Sequence, residues 1–166
     1  MNKLKTVFLD RDGVINKERN DYVKSISELE IFPDVAKNIE LLKNAGFLVV
    51  VITNQSAINR GLITHEMVNQ IHVSIQNYLK ANGTCVDGFF YCPHKPDENC
   101  NCRKPKSGLL HQAILELNID LNSSWMIGDS NSDIEAAISI GCKAIKIDNN
   151  FSLDNAVDKI LSYGIN

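Results

Sequence analysis

Phe47-Leu48-Val49-Val50-Val51-Ile52 is apolar at every position, and a strand without a polar face has to be covered on both sides. Val7-Phe8-Leu9 and Trp125-Met126-Ile127 are shorter runs of the same kind, and Val86-Asp87-Gly88-Phe89-Phe90-Tyr91 is another candidate strand. Lys143-Ala144-Ile145-Lys146-Ile147 alternates apolar and polar residues, which suits the edge of a sheet. Helical stripes separate these runs. Val35, Ile39 and Leu42 share one face of a helix that stops at Gly46. Thr64 is placed to cap a helix burying Val68, Ile71, Ile75 and Leu79, with Gly83 as its stop. Ser107 opens a third, with Leu110, Ala113, Ile114 and Leu117; Ile134, Ala137 and Ile138 belong to a fourth that ends at Gly141; a last helix spans Leu153 to Leu161. Such alternation predicts an α/β fold, a doubly wound, mainly parallel, Rossmann-like sheet. No repeat, low-complexity tract or linker interrupts it, so residues 1–166 read as one domain.

With 166 residues the chain is long enough to bury a substantial core, and 44% hydrophobic with 22% charged residues is ordinary for a globular protein. A net charge of -3 gives no electrostatic footprint for nucleic acid or a membrane surface, so an anionic substrate has to be held by local cations. No apolar stretch approaches the roughly 20 residues needed to cross a bilayer, and the N-terminal apolar run is too short for a signal peptide. Five cysteines, three of them in one short window, favour reduced thiols and a metal over a disulfide framework. The expectation is a monomeric, cytoplasmic enzyme or binding protein with a small-molecule partner.

Polar residues gather at the strand ends, where open α/β sheets bind their ligands. Asp10 and Asp12 follow the first strand, with Gly13 allowing a sharp turn; Thr53-Asn54-Gln55-Ser56 follows the second; Gly128-Asp129-Ser130-Asn131-Ser132-Asp133 follows the fourth. Each has a plainer reading, as an acidic turn, a helix cap or a turn-and-cap pair. Two carboxylates about 4 Å apart cost about 4 kcal/mol at an effective dielectric of about 20, unless a cation joins them. Asp10, Asp12 and Asp129 suit a hard Mg²⁺ ion sharing a phosphate oxygen, with one carboxylate free as a nucleophile. The Thr53 hydroxyl and neighbouring backbone N–H groups can hold phosphoryl oxygens, and Arg103 and Lys104 can meet the charge of a phosphoryl-transfer transition state.

Between the third and fourth strands, Cys92-x-His94 and Cys100-x-Cys102 supply three thiolates and one imidazole, a closed tetrahedral set for structural Zn²⁺. A disulfide is the alternative, and it leaves one thiol and the histidine without a role. Arg103-Lys104-Pro105 follows the last of these residues, so an ordered loop would also fix the cations. Cys85 and Cys142 read as small core residues. His65, His72 and His111 read as surface or helix-packing residues.

Asp10-Arg11-Asp12-Gly13-Val14, Thr53-Asn54, Lys104 and Gly128-Asp129-x-x-x-Asp133 resemble the four ordered motifs of the haloacid dehalogenase superfamily of phosphatases. The resemblance spans nearly the whole chain. It implies Asp10 as the nucleophile that forms an aspartyl-phosphate, and Asp12 as general acid and then base. It also implies that Thr53 and Lys104 stabilise the phosphoryl group, and that Asp10, a backbone carbonyl at Asp12, and Asp129 hold Mg²⁺. Asp133 is expected to order its loop or support Lys104. The added Cys92, His94, Cys100, Cys102 cluster, with Arg103-Lys104-Pro105, is similar to one subgroup, that of the heptose-bisphosphate and histidinol-phosphate phosphatases, and implies Zn²⁺ there.

Within that subgroup, Ile15-Asn16, Gln55-Ser56 and Arg60-Gly61 resemble the heptose enzymes. They imply a phosphorylated sugar bound by Asn54, Gln55, Ser56, Arg60 and Arg103. Two positions depart from the pattern. Asn20-Asp21-Tyr22-Val23 stands in place of Gly-Tyr-Val in a substrate loop, and Ser130 stands where many relatives carry Lys. Alternatives are a histidinol-phosphate or broader small-molecule phosphatase, and a zinc-stabilised phosphosugar-binding module without catalysis. No insertion is large enough for a separate cap, so the site is expected to be closed by loops 17–27 and 57–62 and by the cysteine loop.

Overall fold

A computed structural model describes residues 3–163. Five strands form one parallel sheet in the order β3-β2-β1-β4-β5: β1 (Thr6–Leu9), β2 (Leu48–Asn54), β3 (Gly88–Cys92), β4 (Trp125–Gly128) and β5 (Lys143–Lys146). The helices α1 (Val35–Asn44), α2 (His65–Ala81), α3 (Gly108–Leu117), α4 (Asn131–Ile138) and α5 (Leu153–Ser162) complete the doubly wound pattern. Pairing runs Phe8 beside Val50 on one side and Met126 on the other, so β1 is the central strand. It is buried at all four positions, as the apolar run Val7-Phe8-Leu9 requires, and the N–H of buried Thr6 donates to Ser124 Oγ at 2.9 Å.

The period of two along β1 divides the core. Val7 and Leu9 pack with Ile39 of α1, Ile71 of α2 and Val157 of α5, whereas Phe8 packs on the opposite face with Leu110 of α3 and Ala137 of α4. Chain order reverses between β1 and β4, making the gap beyond their carboxyl ends the switch point of the sheet. Residues 10–34, between β1 and α1, carry only one short 3₁₀ turn, Ile26–Glu28, and nothing like a separate cap.

At two element starts the structure departs from the sequence expectation for physical reasons. β3 starts at Gly88, not Val86, because the Asp87 carboxylate accepts the Val49 N–H at 2.7 Å and pairs with Lys43 at 2.6 Å. A side chain thus occupies a position that a longer strand would use. Ser107 stands at the start of α3 but its hydroxyl does not cap it. The start is seated instead on the cysteine loop: Gly108 N–H donates to the Asn101 carbonyl at 3.1 Å, and a Cβ at 108 would meet that oxygen at 2.3 Å. Thr64 does cap α2, accepting from Met67 N–H at 3.1 Å. Cys142 is buried, but Cys85 is only half-buried. Among the described residues no helix is long and apolar enough to cross a membrane.

Candidate active site

The carboxyl ends of β1, β2 and β4 bring Asp10, Asp12, Thr53, Asn54, Gln55, Ser56, Arg60, Arg103, Lys104 and Asp129 around one cavity of about 480 Å³. Glu18, Arg19, Asn20 and Tyr22 of the loop before α1 border it as well. Asp10, Thr53 and Lys104 lie buried at its floor, whereas Arg60 is exposed at its rim.

Lys104 organises the floor. Its ammonium donates to Asp10 Oδ1 at 2.8 Å and to the Ile52 carbonyl at 2.7 Å, and pairs with the Asp133 charge, 2.6 Å from its Oδ1. Desolvation would lower the Lys104 pKa, but Asp10 and Asp133 outweigh it and raise it. Asp10 Oδ1 also accepts the Arg11 backbone N–H at 2.8 Å, and no N–H donor among the described residues engages its Oδ2. Burial pushes Asp10 up to about 7, with the Asp133 and Asp12 charges adding to it against the pull of Lys104. Burial and Asp133 raise Asp129 too.

Oxygens of Asp10, Asp129 and Asp133 lie within 4.8 Å of one another. Asp133 is engaged at both ends, since its Oδ2 accepts from Ser130 N–H at 3.1 Å and Ser130 Oγ at 2.9 Å. Asp10 and Asp129 therefore offer the freer oxygens. An all-oxygen cluster carrying more negative charge than one ammonium offsets fits a hard divalent cation. Gly13 makes room for it: its φ is +88°, and a Cβ there would lie 2.0 Å from Asp129 Oδ2.

Asp12 is held differently. Its Oδ1 accepts from Arg11 Nη2 at 2.8 Å and Asn16 Nδ2 at 2.9 Å, and its Oδ2 from Gln55 Nε2 at 2.8 Å. Against desolvation, the Arg11 charge and these hydrogen bonds bring its pKa below the usual carboxylate range. Gln55 also donates to Thr53 Oγ1 at 2.9 Å, linking Asp12 to the end of β2. The Asn54 carboxamide faces the Lys104 peptide, donating to its carbonyl and accepting its N–H, each at 3.1 Å. This bracket fixes where the Lys104 side chain begins.

The four cysteine-loop residues form a separate cluster. Cys92 Sγ lies 3.7 Å from Cys100 Sγ, 3.1 Å from Cys102 Sγ and 3.4 Å from His94 Nδ1. Burial raises the Cys92 thiol, whereas Arg103 N–H, 3.4 Å from Cys100 Sγ, helps to bring Cys100 down to about 7 against its own desolvation. Three sulfurs and one imidazole nitrogen converging on one point fit a tetrahedral Zn²⁺ ion. Arg103 is tied to the same loop, its Nη1 donating to the His94 carbonyl at 3.2 Å.

A family profile described as HAD-hydrolase-like matches residues 101–160. The D-glycero-beta-D-manno-heptose-1,7-bisphosphate 7-phosphatase of Pseudomonas aeruginosa is 39% identical over 141 residues, covering 85% of this chain and 79% of the relative. Its namesake from Neisseria meningitidis is 37% identical over 140 residues, 84% of this chain and 75% of the relative. The chain belongs to the haloacid dehalogenase-like hydrolases, with the heptose-bisphosphate phosphatases as its relatives. A D,D-heptose 1,7-bisphosphate phosphatase from B. bronchiseptica, crystallised with magnesium and phosphate, matches with a TM-score of 0.88 at 31% identity, over 96% of this chain and 99% of that one.

Sequence reasoning passed over two residues that this geometry brings forward. Arg11, in sequence only the residue between Asp10 and Asp12, is 1% exposed and touches Asp12. His72, which its sequence marks as a surface or helix-packing residue, is buried against Arg11. A charged side chain between two catalytic candidates was the available signal for Arg11; for His72 there was none, because α2 approaches the site only through the fold.

Proposed function

We propose that this chain is a cytoplasmic, monomeric, Mg²⁺-dependent phosphatase that converts D-glycero-D-manno-heptose 1,7-bisphosphate to the 1-phosphate. The observation that carries this reading is a cavity with a carboxylate–lysine floor and an arginine rim, large enough for a sugar with a phosphate at each end.

In this reading the C7 phosphate sits on the floor. Asp10 Oδ2, the oxygen without an N–H donor, attacks phosphorus while Asp10 Oδ1 stays fixed by Lys104 and the Arg11 N–H. The bond from phosphorus to the sugar oxygen breaks as Asp12, ionised before substrate binds and taking up a proton when the phosphate dianion lies beside it, passes that proton to the leaving oxygen. Water then attacks the aspartyl-phosphate, Asp12 takes its proton back from that water, and inorganic phosphate leaves with Asp10 regenerated. Thr53 and Lys104 donate to the transferred phosphoryl oxygens. Asp10, Asp129 and the Asp12 backbone carbonyl would hold Mg²⁺, which supplies positive charge to a phosphate oxygen as charge develops there. Cys92, His94, Cys100 and Cys102 would hold Zn²⁺, which orders the loop carrying Arg103 and Lys104.

Arg103 and Arg60 are assigned to the far phosphate. One Arg103 nitrogen is anchored on His94, which leaves the rest of the guanidinium for a bidentate phosphate contact. Arg103→Ala is expected to raise KM for the heptose bisphosphate at least tenfold and for a monophosphorylated sugar less than threefold. Steady-state kinetics on both substrates checks this, and an equal rise on the two removes Arg103 from that role.

A further inference from the structure

Arg11 is almost sealed from solvent at 1% exposure, and a buried guanidinium is costly unless its donors are matched. Its Nη2 reaches Asp12 Oδ1 at 2.8 Å, and its Nη1 lies 3.4 Å from His72 Nε2. Arginine can only donate, so His72 Nε2 accepts and the ring carries its proton on Nδ1. Burial, with Arg11 adding to it, pushes His72 down to about 3, which keeps the ring neutral and able to accept. The ring is held by stacking on Phe89 of β3, centroids 4.5 Å apart and planes 12° apart, and by the edge of Tyr91. Arg11 Nε has no partner among the described residues, so the guanidinium is held at its two ends.

On Asp12, Oδ1 receives both Arg11 and Asn16, which uses its two lone pairs. Oδ2 receives only Gln55 and retains one position for a proton. We propose that His72 is a positioning residue for the reaction: it holds Arg11 against Asp12 Oδ1, so that Asp12 presents Oδ2 to the leaving oxygen. α2 and β3 thereby take part in proton transfer without touching substrate. This rests on the acid–base reading of Asp12 given above.

The test compares a poor and a good leaving group under single-turnover conditions with enzyme in excess. The leaving group of heptose 1,7-bisphosphate is the C7 alkoxide of the sugar 1-phosphate, which needs the proton, and that of p-nitrophenyl phosphate is p-nitrophenolate, which does not. His72→Phe keeps an aromatic ring against Phe89 but removes the acceptor. It is expected to slow cleavage of the sugar phosphate 10- to 100-fold, with KM within twofold of wild type and p-nitrophenolate release within threefold. His72→Gln, whose amide oxygen can accept from Arg11, is expected to recover the sugar-phosphate rate to within about fivefold of wild type. Arg11→Lys, which keeps the charge but cannot bridge both partners, is expected to show the same leaving-group split and serves if His72→Phe does not fold. Equal slowing on both substrates, or a His72→Phe rate within twofold of wild type, overturns the assignment. A wild-type chain inert on both substrates instead overturns the phosphatase reading on which it depends.

Discussion

At the scale of residues, the site places one oxygen of Asp10 under two N–H donors and the other under none among the described residues. Asp10→Asn removes the nucleophile with almost no change of shape. It is expected to abolish turnover while the melting temperature stays within a few degrees; a variant keeping a tenth of the wild-type kcat contradicts the role. His72 gives a prediction for stability. Its folded pKa of about 3 lies below the ordinary histidine value of 6.5, so the unfolded chain binds the extra proton between those limits. The stabilisation is fully present above pH 6.5 and is lost as pH falls towards 3, by up to about 1.4 kcal/mol per pH unit. Asp10, raised to about 7, has the opposite sign, because the folded chain holds its proton more tightly in that range. The comparison with His72→Gln cancels the Asp10 contribution. Between pH 7 and 4.5 the wild-type melting temperature is expected to fall more than that of the variant, and parallel curves contradict the buried neutral ring.

At the scale of elements, each loop at a strand end is tied to the next. Gln55 N–H donates to the Cys92 carbonyl at 2.7 Å, Asn54 brackets Lys104, and Gly108 seats α3 on Asn101. The cysteine loop is therefore tied to the end of β2 on one side and to the start of α3 on the other. One Zn²⁺ per chain is expected to survive buffer exchange. Cys100→Ser is expected to lower both zinc content and kcat at least tenfold while far-ultraviolet circular dichroism stays unchanged; full activity without zinc contradicts the link from loop to cation. These elements were legible in the sequence to different degrees. Val7-Phe8-Leu9 and Phe47–Ile52 announced buried strands because nothing polar interrupts them, and Thr64 announced its helix. The start of β3 was not legible, since Asp87 pairs with residues some forty positions earlier, Lys43 and Val49. Ser107 looked like a cap, but tertiary contact through Gly108 and Asn101 does that work.

At the scale of the whole molecule, a chain of net charge -3 sets Arg60, Arg103 and Lys104 among the carboxylates of one cavity, and its substrate is anionic in the proposed reading. Candidate site residues at three strand ends were legible together because a parallel sheet brings such ends to one crevice, and the order β3-β2-β1-β4-β5 sets that crevice between Asp10 and Asp129. The link from His72 through Arg11 to Asp12 was not, because it joins α2 to the loop after β1 across 61 positions with no motif to mark it. The departures at Asn20-Asp21 and Ser130 fall beside the cavity: Arg19 pairs with Asp21 at 3.1 Å, and Ser130 donates to Asp133. The central claim concerns which phosphate the Asp10 floor receives and which the arginine rim retains. Phosphorus NMR of D-glycero-D-manno-heptose 1,7-bisphosphate during turnover reads this directly. The account predicts that the C7 phosphate signal disappears as inorganic phosphate grows while the C1 signal persists, at a higher kcat/KM than for histidinol phosphate; loss of the C1 signal first, or faster turnover of histidinol phosphate, contradicts it.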